Sequence, residues 1–211
     1  LKEIPAGIQR FLNNSKFSTN PAETIKSLRM LDTGRDGNCG AHALSVVTYA
    51  IDNDKCDFMN TGEIRQHLID TAYYCLNKNL EEELKIYPNK KDINHPEYTD
   101  IKAYNDVYTS LTKDPKRFLE QSEIVMFCQS IRVNCGVFAY FKTSGQTQDY
   151  NLFVNYIDKT WPWVFFAITD RGNHYQILVK STKPKFCVTF TNDEARKYFN
   201  YDVRLQMNHT S

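Results

Sequence analysis

The sequence predicts an α+β domain in which a small, mostly antiparallel β-sheet packs between helices. Apolar residues recur every three or four positions through much of the region up to Cys128, which is the spacing of helices with one buried face. From Ile131 onward apolar and polar residues alternate, and turn-forming residues separate the alternating segments, which predicts strands joined by hairpins. Helices followed by a run of strands are typical of the α+β class.

Helix starts are predicted from capping residues, from proline at a first helical position and from apolar spacing. They are Asn20-Pro21, Cys39, Asn60-Thr61-Gly62-Glu63, Asp114-Pro115 and Thr191. The first of these helices is expected to run to Leu31. We expect residues 60–113 to form a variable helical and loop region at the surface, because their later part is polar and contains prolines.

Strands are predicted at 131–139, 150–157, 163–169 and 174–180. Residues 142–149 form the turn between the first two, and Asp-Arg-Gly-Asn at 170–173 forms a hairpin loop between the last two. His174 is therefore expected to begin a strand directly after a tight loop.

Length and charge limit the classes of protein to which the chain can belong. With 211 residues it is long enough for one domain with a core, and we expect residues 1–211 to be a single domain, cut from a longer protein because the first residue is not Met. The net charge of +1, without a basic stripe, argues against nucleic-acid binding. No apolar run approaches the roughly 18 residues of a membrane span.

The cysteines indicate a reducing compartment. The six cysteines, at positions 39, 56, 75, 128, 135 and 187, are sparse for a disulfide scaffold and lack the CxxC spacing of zinc sites. We therefore expect reduced thiols in a cytoplasmic protein and no bound metal.

One cysteine stands where a nucleophile would. Cys39 follows Asp36-Gly37-Asn38 and precedes a helix, whose N-terminal N–H groups and dipole are expected to lower the pKa of the thiol. Gly37 permits a tight turn, and backbone N–H groups of Gly37, Asn38 and Gly40 are expected to form an oxyanion hole. The alternative is a capped helix start that carries one more buried thiol.

A nucleophilic cysteine needs a base, and two of the histidines compete for that role. His42 lies on the helix of the nucleophile, where its side chain points back along the backbone and is aimed poorly at a substrate. His174 is held at a strand start, and strand alternation places Gln176 on the same face. The Gln176 amide oxygen is predicted to accept the Nδ1–H of His174 and fix its tautomer, unless this face simply meets water.

Asp36-Gly37-Asn38-Cys39, with the helix that follows, and the distant Asn173-His174-Tyr175 together resemble the two end motifs of the ovarian tumour (OTU) family of papain-like cysteine deubiquitinases. The order of Cys and His along the chain agrees with that family. Residues 118–140 and Glu63-Ile64-Arg65 resemble its middle segments more loosely. Abundant Asn, Lys, Ile and Tyr are typical of an AT-rich genome and suggest a bacterial or viral member, an effector acting in a host cytosol.

The chain departs from the family pattern at two positions. Gly40-Ala41 replaces a bulky Leu-Phe pair, so the packing beside the nucleophile is expected to differ. Gln176 stands where the family has Asp or Asn, which leaves the residue that orients His174 open. Other candidates for that role are Asp32, Asp170 and Asn173.

The resemblance implies hydrolysis of isopeptide bonds after the C-terminal Gly of ubiquitin. Cys39 forms a thioester, His174 acts as base, and Asp36, the acid of the family motif, supports the oxyanion loop or the polarity of the site, without any metal or organic cofactor. The implied partners are ubiquitin or polyubiquitin chains, for which residues 60–113 are a possible platform. Two alternatives stay open: a catalytically weak or inactive ubiquitin-binding module, and a protease or transferase for another ubiquitin-like modifier.

Overall fold

The computed structural model describes residues 1–13, 20–34, 36–51, 56–72, 101–144, 147–169, 173–182 and 185–200. Within these ranges it contains seven helices and six strands. The helices are α1 (Ala6–Asn13), α2 (Pro21–Ser27), α3 (Cys39–Ala50), α4 (61–72), α5 (Ile101–Lys113), α6 (Gln121–Ser130) and α7 (Asn192–Phe199). The strands are β1 (Leu28–Leu31), β2 (Asn134–Ser144), β3 (Thr147–Asn155), β4 (Trp163–Thr169), β5 (His174–Thr182) and β6 (Lys185–Cys187).

The strands form one sheet with the order β1-β5-β4-β2-β3, and β6 pairs with the later part of β5. Every pairing is antiparallel except that of β2 with β4, which is parallel. The predicted α+β domain with a mostly antiparallel sheet is therefore confirmed. The pairing of β1 with β5, in which Leu31 lies opposite Ile177, brings the residues after β1 next to the start of β5.

The sheet has a hydrophobic core on each face, which is why it packs between helices. One core contains Cys39, Val47, Ile64, Phe127 and Ile177, and so joins α3, α4 and α6 to the sheet. The other joins α1 and α7 to the opposite face through residues that include Ile8, Leu12, Trp163, Phe165 and Phe199. Buried apolar area of this kind is the main favourable contribution to folding.

Most of the predicted elements occur where capping and alternation placed them. The helix after Cys39, the strand at 163–169 and the strand that begins at His174 are all present. Asn60 and Glu63 exchange the two hydrogen bonds of a capping box at the start of α4, and Thr191 caps α7. Of the predicted surface region 60–113, residues 73–100 lie outside the described residues.

The prediction that the helix starting at Asn20-Pro21 runs to Leu31 is wrong. The helix ends at Ser27, and Leu28–Leu31 is a strand. Leu28 and Met30 are buried on one face of the sheet, and the segment pairs with β5. A four-residue strand is too short to show an alternation that could be distinguished from a helical pattern, so its tertiary pairing decides the structure.

The prediction of a helix start at Asp114-Pro115 is also wrong. These residues belong to a turn, in which Asp114 accepts a hydrogen bond from the Lys116 N–H. The helix α6 begins at Gln121, where Glu120 and Glu123 form a capping box. The strand predicted from Ile131 begins at Asn134, because Arg132 has a left-handed φ of 61°.

Candidate active site

Cys39 is the first residue of α3 and is 1% exposed. Asp36 shapes the turn before it: Oδ1 accepts the Asn38 N–H at 3.0 Å, and its carbonyl oxygen accepts the Cys39 N–H at 3.2 Å. The hydrogen bond from Asn38 lowers the pKa of the exposed Asp36 carboxyl. Asp36 is therefore placed to support the turn, whereas the imidazole that it approaches is that of His42, at 3.4 Å.

His174, the first residue of β5, is 4% exposed and has a carboxylate beside its ring. Its Nε2 lies 3.0 Å from Oδ1 of Asp32, the residue that follows β1. Oδ1 of Asp32 also accepts the Gly34 N–H at 3.2 Å, and Oδ2 lies 3.6 Å from Nζ of Lys2. The carboxylate is thus held on both sides, and it fixes the orientation of the imidazole.

The residues next to His174 in the chain are arranged differently from the prediction. Gln176 donates from Nε2 to Oγ1 of Thr169 at 3.1 Å, and Thr169 donates to the carbonyl oxygen of His174 at 3.3 Å. Gln176 thereby supports the backbone of His174, and the ring nitrogen with a hydrogen-bonded carboxylate is Nε2, not Nδ1. The reason is the pairing of β1 with β5. This pairing places Asp32 beside the His174 ring, on the face of the sheet where the sequence predicted that Gln176 would contact the ring.

Two further residues were proposed to orient His174, and the structure describes one of them, Asn173. The side chain of Asn173 is exposed, and its backbone N–H closes the hairpin by donating to the Thr169 carbonyl at 3.1 Å. Asp170 lies outside the described residues. Among the described candidates that the sequence suggested, Asp32 is the one whose side chain hydrogen-bonds the His174 ring.

The two end motifs of the sequence meet at the sulfur of Cys39. The N–H of Tyr175, which belongs to the peptide bond directly after His174, donates to Sγ at 3.5 Å. Burial raises the pKa of the Cys39 thiol, and hydrogen bonds from the N–H groups of Tyr175 and Gly40 offset this only in part. The prediction of a lowered thiol pKa is thus not met in this structure, because the sulfur at the helix N-terminus is shielded from water. A base is needed to remove its proton.

The packing around Gly40 explains how the chain accommodates its small residues there. A Cβ on Gly40 would lie 3.2 Å from the Tyr175 ring and 3.3 Å from Leu119, so these side chains fill the space. Tyr175 also donates from its hydroxyl to the Leu119 carbonyl at 2.9 Å, and its ring stacks on Phe118 with centroids 4.9 Å apart. In this chain an aromatic pair covers the helix start, and a difference in packing from the family pattern stays a prediction.

In the predicted oxyanion loop, the N–H groups of Asn38, Cys39 and Gly40 are directed at atoms of the loop itself. The N–H groups of Asn38 and Cys39 donate to Asp36, and the Gly40 N–H is directed at the sulfur. Gly37 lies against the backbone of Lys116, whose carbonyl oxygen would be 2.8 Å from a Cβ at that position. The contribution of Gly37, Asn38 and Gly40 to an oxyanion hole stays a prediction.

Arg65 is a residue of this site that sequence reasoning did not assign a role. It lies on α4, is 3% exposed, and donates from Nε and Nη2 to Oδ1 of Asn38 at 3.0 and 2.8 Å. The signal that could have found it is a charged residue between the buried positions Ile64 and Leu68 of an amphipathic helix. A charge in such a position is rarely buried unless it has partners.

Other chemistry is not evident in the described part of the chain. No group of three or more His, Cys, Asp or Glu side chains there has the arrangement of a metal site. Nor does any helix among the described residues have the length and apolar character needed to cross a bilayer. His67 hydrogen-bonds Ser130 at 2.8 Å, which is a structural contact between α4 and α6.

Comparison with known proteins gives matches among solved structures. No family model matches the chain, and no curated protein matches it. The chain is similar to the OTU domain of OTUD1, with a TM-score of 0.48 and 13% identity over 82% of this chain and 91% of that one. It is also similar to the viral OTU domain protease of Taggert virus, with a TM-score of 0.45 and 15% identity over 79% and 88% of the two chains.

A third solved structure is an OTU deubiquitinase from Wolbachia pipientis bound to ubiquitin, with a TM-score of 0.45 and 11% identity over 74% of this chain and 97% of that one. The chain thus resembles OTU domains in its two end motifs and is similar to solved OTU domains in its structure.

Proposed function

We propose that the chain is a cysteine peptidase of the OTU type that hydrolyses the isopeptide bond after the C-terminal Gly of ubiquitin. The observation that carries this proposal is the convergence of the two end motifs. Cys39 begins a helix against the peptide bond that follows His174, and the ring of His174 is oriented by Asp32. Nucleophile, base and orienting carboxylate are the three parts of a catalytic triad for thiol acyl transfer.

The hydrogen bond of the His174 ring indicates which ring nitrogen accepts the thiol proton. Since Nε2 of His174 is hydrogen-bonded to Asp32, Nδ1 is the nitrogen that takes the proton of the Cys39 thiol. The thiolate attacks the carbonyl carbon of the ubiquitin Gly, and the C–N bond to the lysine breaks as His174 returns the proton to the leaving amine. Water then attacks the thioester, with His174 as base, and releases the ubiquitin carboxylate and the Cys39 thiol.

The surroundings of Cys39 add one requirement to this mechanism. The Cys39 N–H donates to the Asp36 carbonyl and the sulfur is buried, so we propose that substrate binding breaks this one hydrogen bond before acylation, while the Asn38 side chain keeps its place. Breaking it would release an N–H group that can stabilise the oxyanion. Ubiquitin is proposed here as both the substrate and the ligand that orders the site.

Hydrolysis of ubiquitin that carries a C-terminal fluorogenic amide tests the proposal. We expect release of the fluorophore by the wild-type chain and loss of that release in Cys39→Ala. Binding of ubiquitin without turnover would instead indicate that the chain is a ubiquitin-binding module. The burial of Cys39 is the observation that favours this alternative. Turnover only of fluorogenic amides of other ubiquitin-like modifiers would redirect the proposal to those substrates.

A further inference from the structure

Arg65 of α4 is a buried cation that joins the two sides of the candidate site. Besides Oδ1 of Asn38, its side chain donates to three backbone carbonyl oxygens of the segment 112–117. These belong to Thr112 at 3.3 Å, Pro115 at 3.3 Å and Arg117 at 2.8 Å. The same segment packs against Gly37 through Lys116. One guanidinium therefore links the residue before the nucleophile to the segment that faces it.

The side chain of Asn38 has a different role from that of an ordinary helix cap. Asn38 occupies the N-cap position of α3, where an Asn side chain usually accepts a hydrogen bond from an N–H of the first turn. It makes no such bond, and its oxygen accepts two hydrogen bonds from Arg65 instead. The turn is thus held from outside the helix, through Arg65.

The geometry of these contacts requires an arginine. Nε and Nη2 lie at the edge of a rigid planar fork, and both reach the same oxygen of Asn38 while Nη1 reaches Thr112. A lysine ammonium is a single compact donor group and cannot span these acceptors. Because the acceptors are neutral oxygens, burial of the cation is costly, and simple packing would be served better by an apolar side chain.

The positive charge of Arg65 also acts on the nucleophile. Arg65 is attracted to a negative charge on Cys39, and likewise to Glu123 and Asp114, whereas Arg117 repels it. These charged groups belong to α3, to α6 and to the segment between α5 and α6. The attraction to Cys39 arises only when the thiol ionises, so the charge of Arg65 favours the thiolate.

We propose that Arg65 is a positioning residue: by holding Asn38 against the segment 112–117, it fixes the turn that presents Cys39 to His174 and to the scissile carbonyl. This inference rests on the proposed peptidase function. It assigns to α4 a part in the chemistry, although α4 contributes no group that touches the reacting atoms.

The test compares Arg65→Lys, which keeps the charge, with Arg65→Gln, which removes it. In Arg65→Lys we expect kcat for the fluorogenic ubiquitin amide to fall by about ten- to a hundredfold, with KM little changed, because misplacement of the reacting groups acts mainly on the transition state. In Arg65→Gln we expect the pH midpoint of Cys39 alkylation by iodoacetamide to move up as well.

Two matched variants separate positioning from a general loss of structure. Lys180→Gln removes another partly buried cation, which bonds Glu194 of α7 and neither Asn38 nor the segment 112–117, and is expected to keep kcat near the wild-type value. Asn38→Ala removes the other end of the link, and Arg65→Lys is expected to add little in that background. If Arg65→Lys does not fold, Asn38→Ala alone must show the loss of kcat.

Three results would overturn the inference: an unchanged kcat in Arg65→Lys, an equal loss in Lys180→Gln, or an undiminished effect of Arg65→Lys in the Asn38→Ala background. Alkylation of Cys39 distinguishes this failure from failure of the proposed function. If the wild-type chain does not hydrolyse ubiquitin amides, slower Cys39 alkylation in Arg65→Lys than in Lys180→Gln still supports positioning. Equal rates in these two variants reject it.

Discussion

Oδ1 of Asp32 lies 3.0 Å from Nε2 of His174, although 141 residues separate the two in the chain. The contact depends on the pairing of β1 with β5, which places Asp32 beside the first residues of β5. A carboxylate in this position keeps the imidazole in one tautomer and orientation, and in the proposed mechanism it would stabilise the imidazolium formed when Cys39 gives up its proton.

The first prediction concerns the orienting residue. We expect Asp32→Ala to lower kcat by about a hundredfold or more, since loss of the orienting acid in a catalytic triad has effects of up to about 10⁴. Gln176→Ala is the matched control. Gln176 bonds Thr169, and Thr169 in turn bonds the backbone carbonyl oxygen of His174 and not its ring. Steady-state kinetics on a ubiquitin amide decides between them, and a larger loss in Gln176→Ala than in Asp32→Ala would reverse the assignment.

The second prediction concerns the base. His174→Ala is expected to abolish turnover, whereas His42→Ala is expected to keep most of it, because the His42 ring faces the exposed Asp36 carboxylate at 3.4 Å. Both variants are to be compared at equal concentrations of folded protein. Loss of turnover in His42→Ala together with retention in His174→Ala would show that the base is His42.

The third prediction concerns the close backbone contact at Gly37. In Gly37→Ala the new Cβ would lie 2.8 Å from the Lys116 carbonyl oxygen, so we expect the free energy of unfolding to fall by about 1–3 kcal/mol. Gly62→Ala in the first turn of α4 is the control, because the nearest atom to its Cβ, Oδ1 of Asn60, would be at 3.4 Å. Chemical denaturation of both variants measures the difference. Equal stability would mean that segment 114–117 moves away at little cost.

The fourth prediction is a dependence of stability on pH. Glu123, which accepts hydrogen bonds from Arg117, Tyr108 and the Glu120 N–H, has its carboxyl pKa held below its usual value, despite its burial. The unfolded chain therefore binds a proton at this site before the folded chain does. The stabilisation is complete above the unfolded pKa and is lost as the pH falls through the lower, folded pKa.

Denaturation curves from neutral to acidic pH test this linkage. We expect Glu123→Gln to be less stable than the wild type at neutral pH and the difference to shrink as the pH falls below the usual range of a glutamate. A difference that stays constant over that range would show that the pKa of Glu123 is the same in the folded and unfolded chain.

Local sequence signals predicted the helix start at Cys39 and the strand start at His174, but not the tertiary contacts that complete the candidate site. Cys39 and His174 were predictable because each lies beside a turn or helix start that its neighbours specify. Asp32 could be named only as one of several candidates, since its contact with His174 depends on the short strand β1, which was predicted as helix. Pairing between strands distant in the chain leaves little trace in a four-residue segment.

Arg65 shows a second limit of sequence reasoning. Its helix was predicted from the capping box of Asn60 and Glu63, but a charged side chain on a helix is expected to face water. Its burial follows from acceptors that the fold brings together, namely Asn38 and the carbonyl groups of segment 112–117. None of these is close to Arg65 in the sequence.

The proposed function depends most on Cys39 being a nucleophile that His174 and Asp32 activate toward the C-terminus of ubiquitin. The most direct measurement is reaction with ubiquitin that carries an electrophile in place of its C-terminal carboxylate, followed by intact-mass spectrometry. We predict one covalent adduct on the wild-type chain, none on Cys39→Ala, and much slower formation on His174→Ala and Asp32→Ala. An adduct that forms equally on Cys39→Ala, or no adduct on a folded wild-type chain whose Cys39 is alkylated by iodoacetamide, would contradict the account.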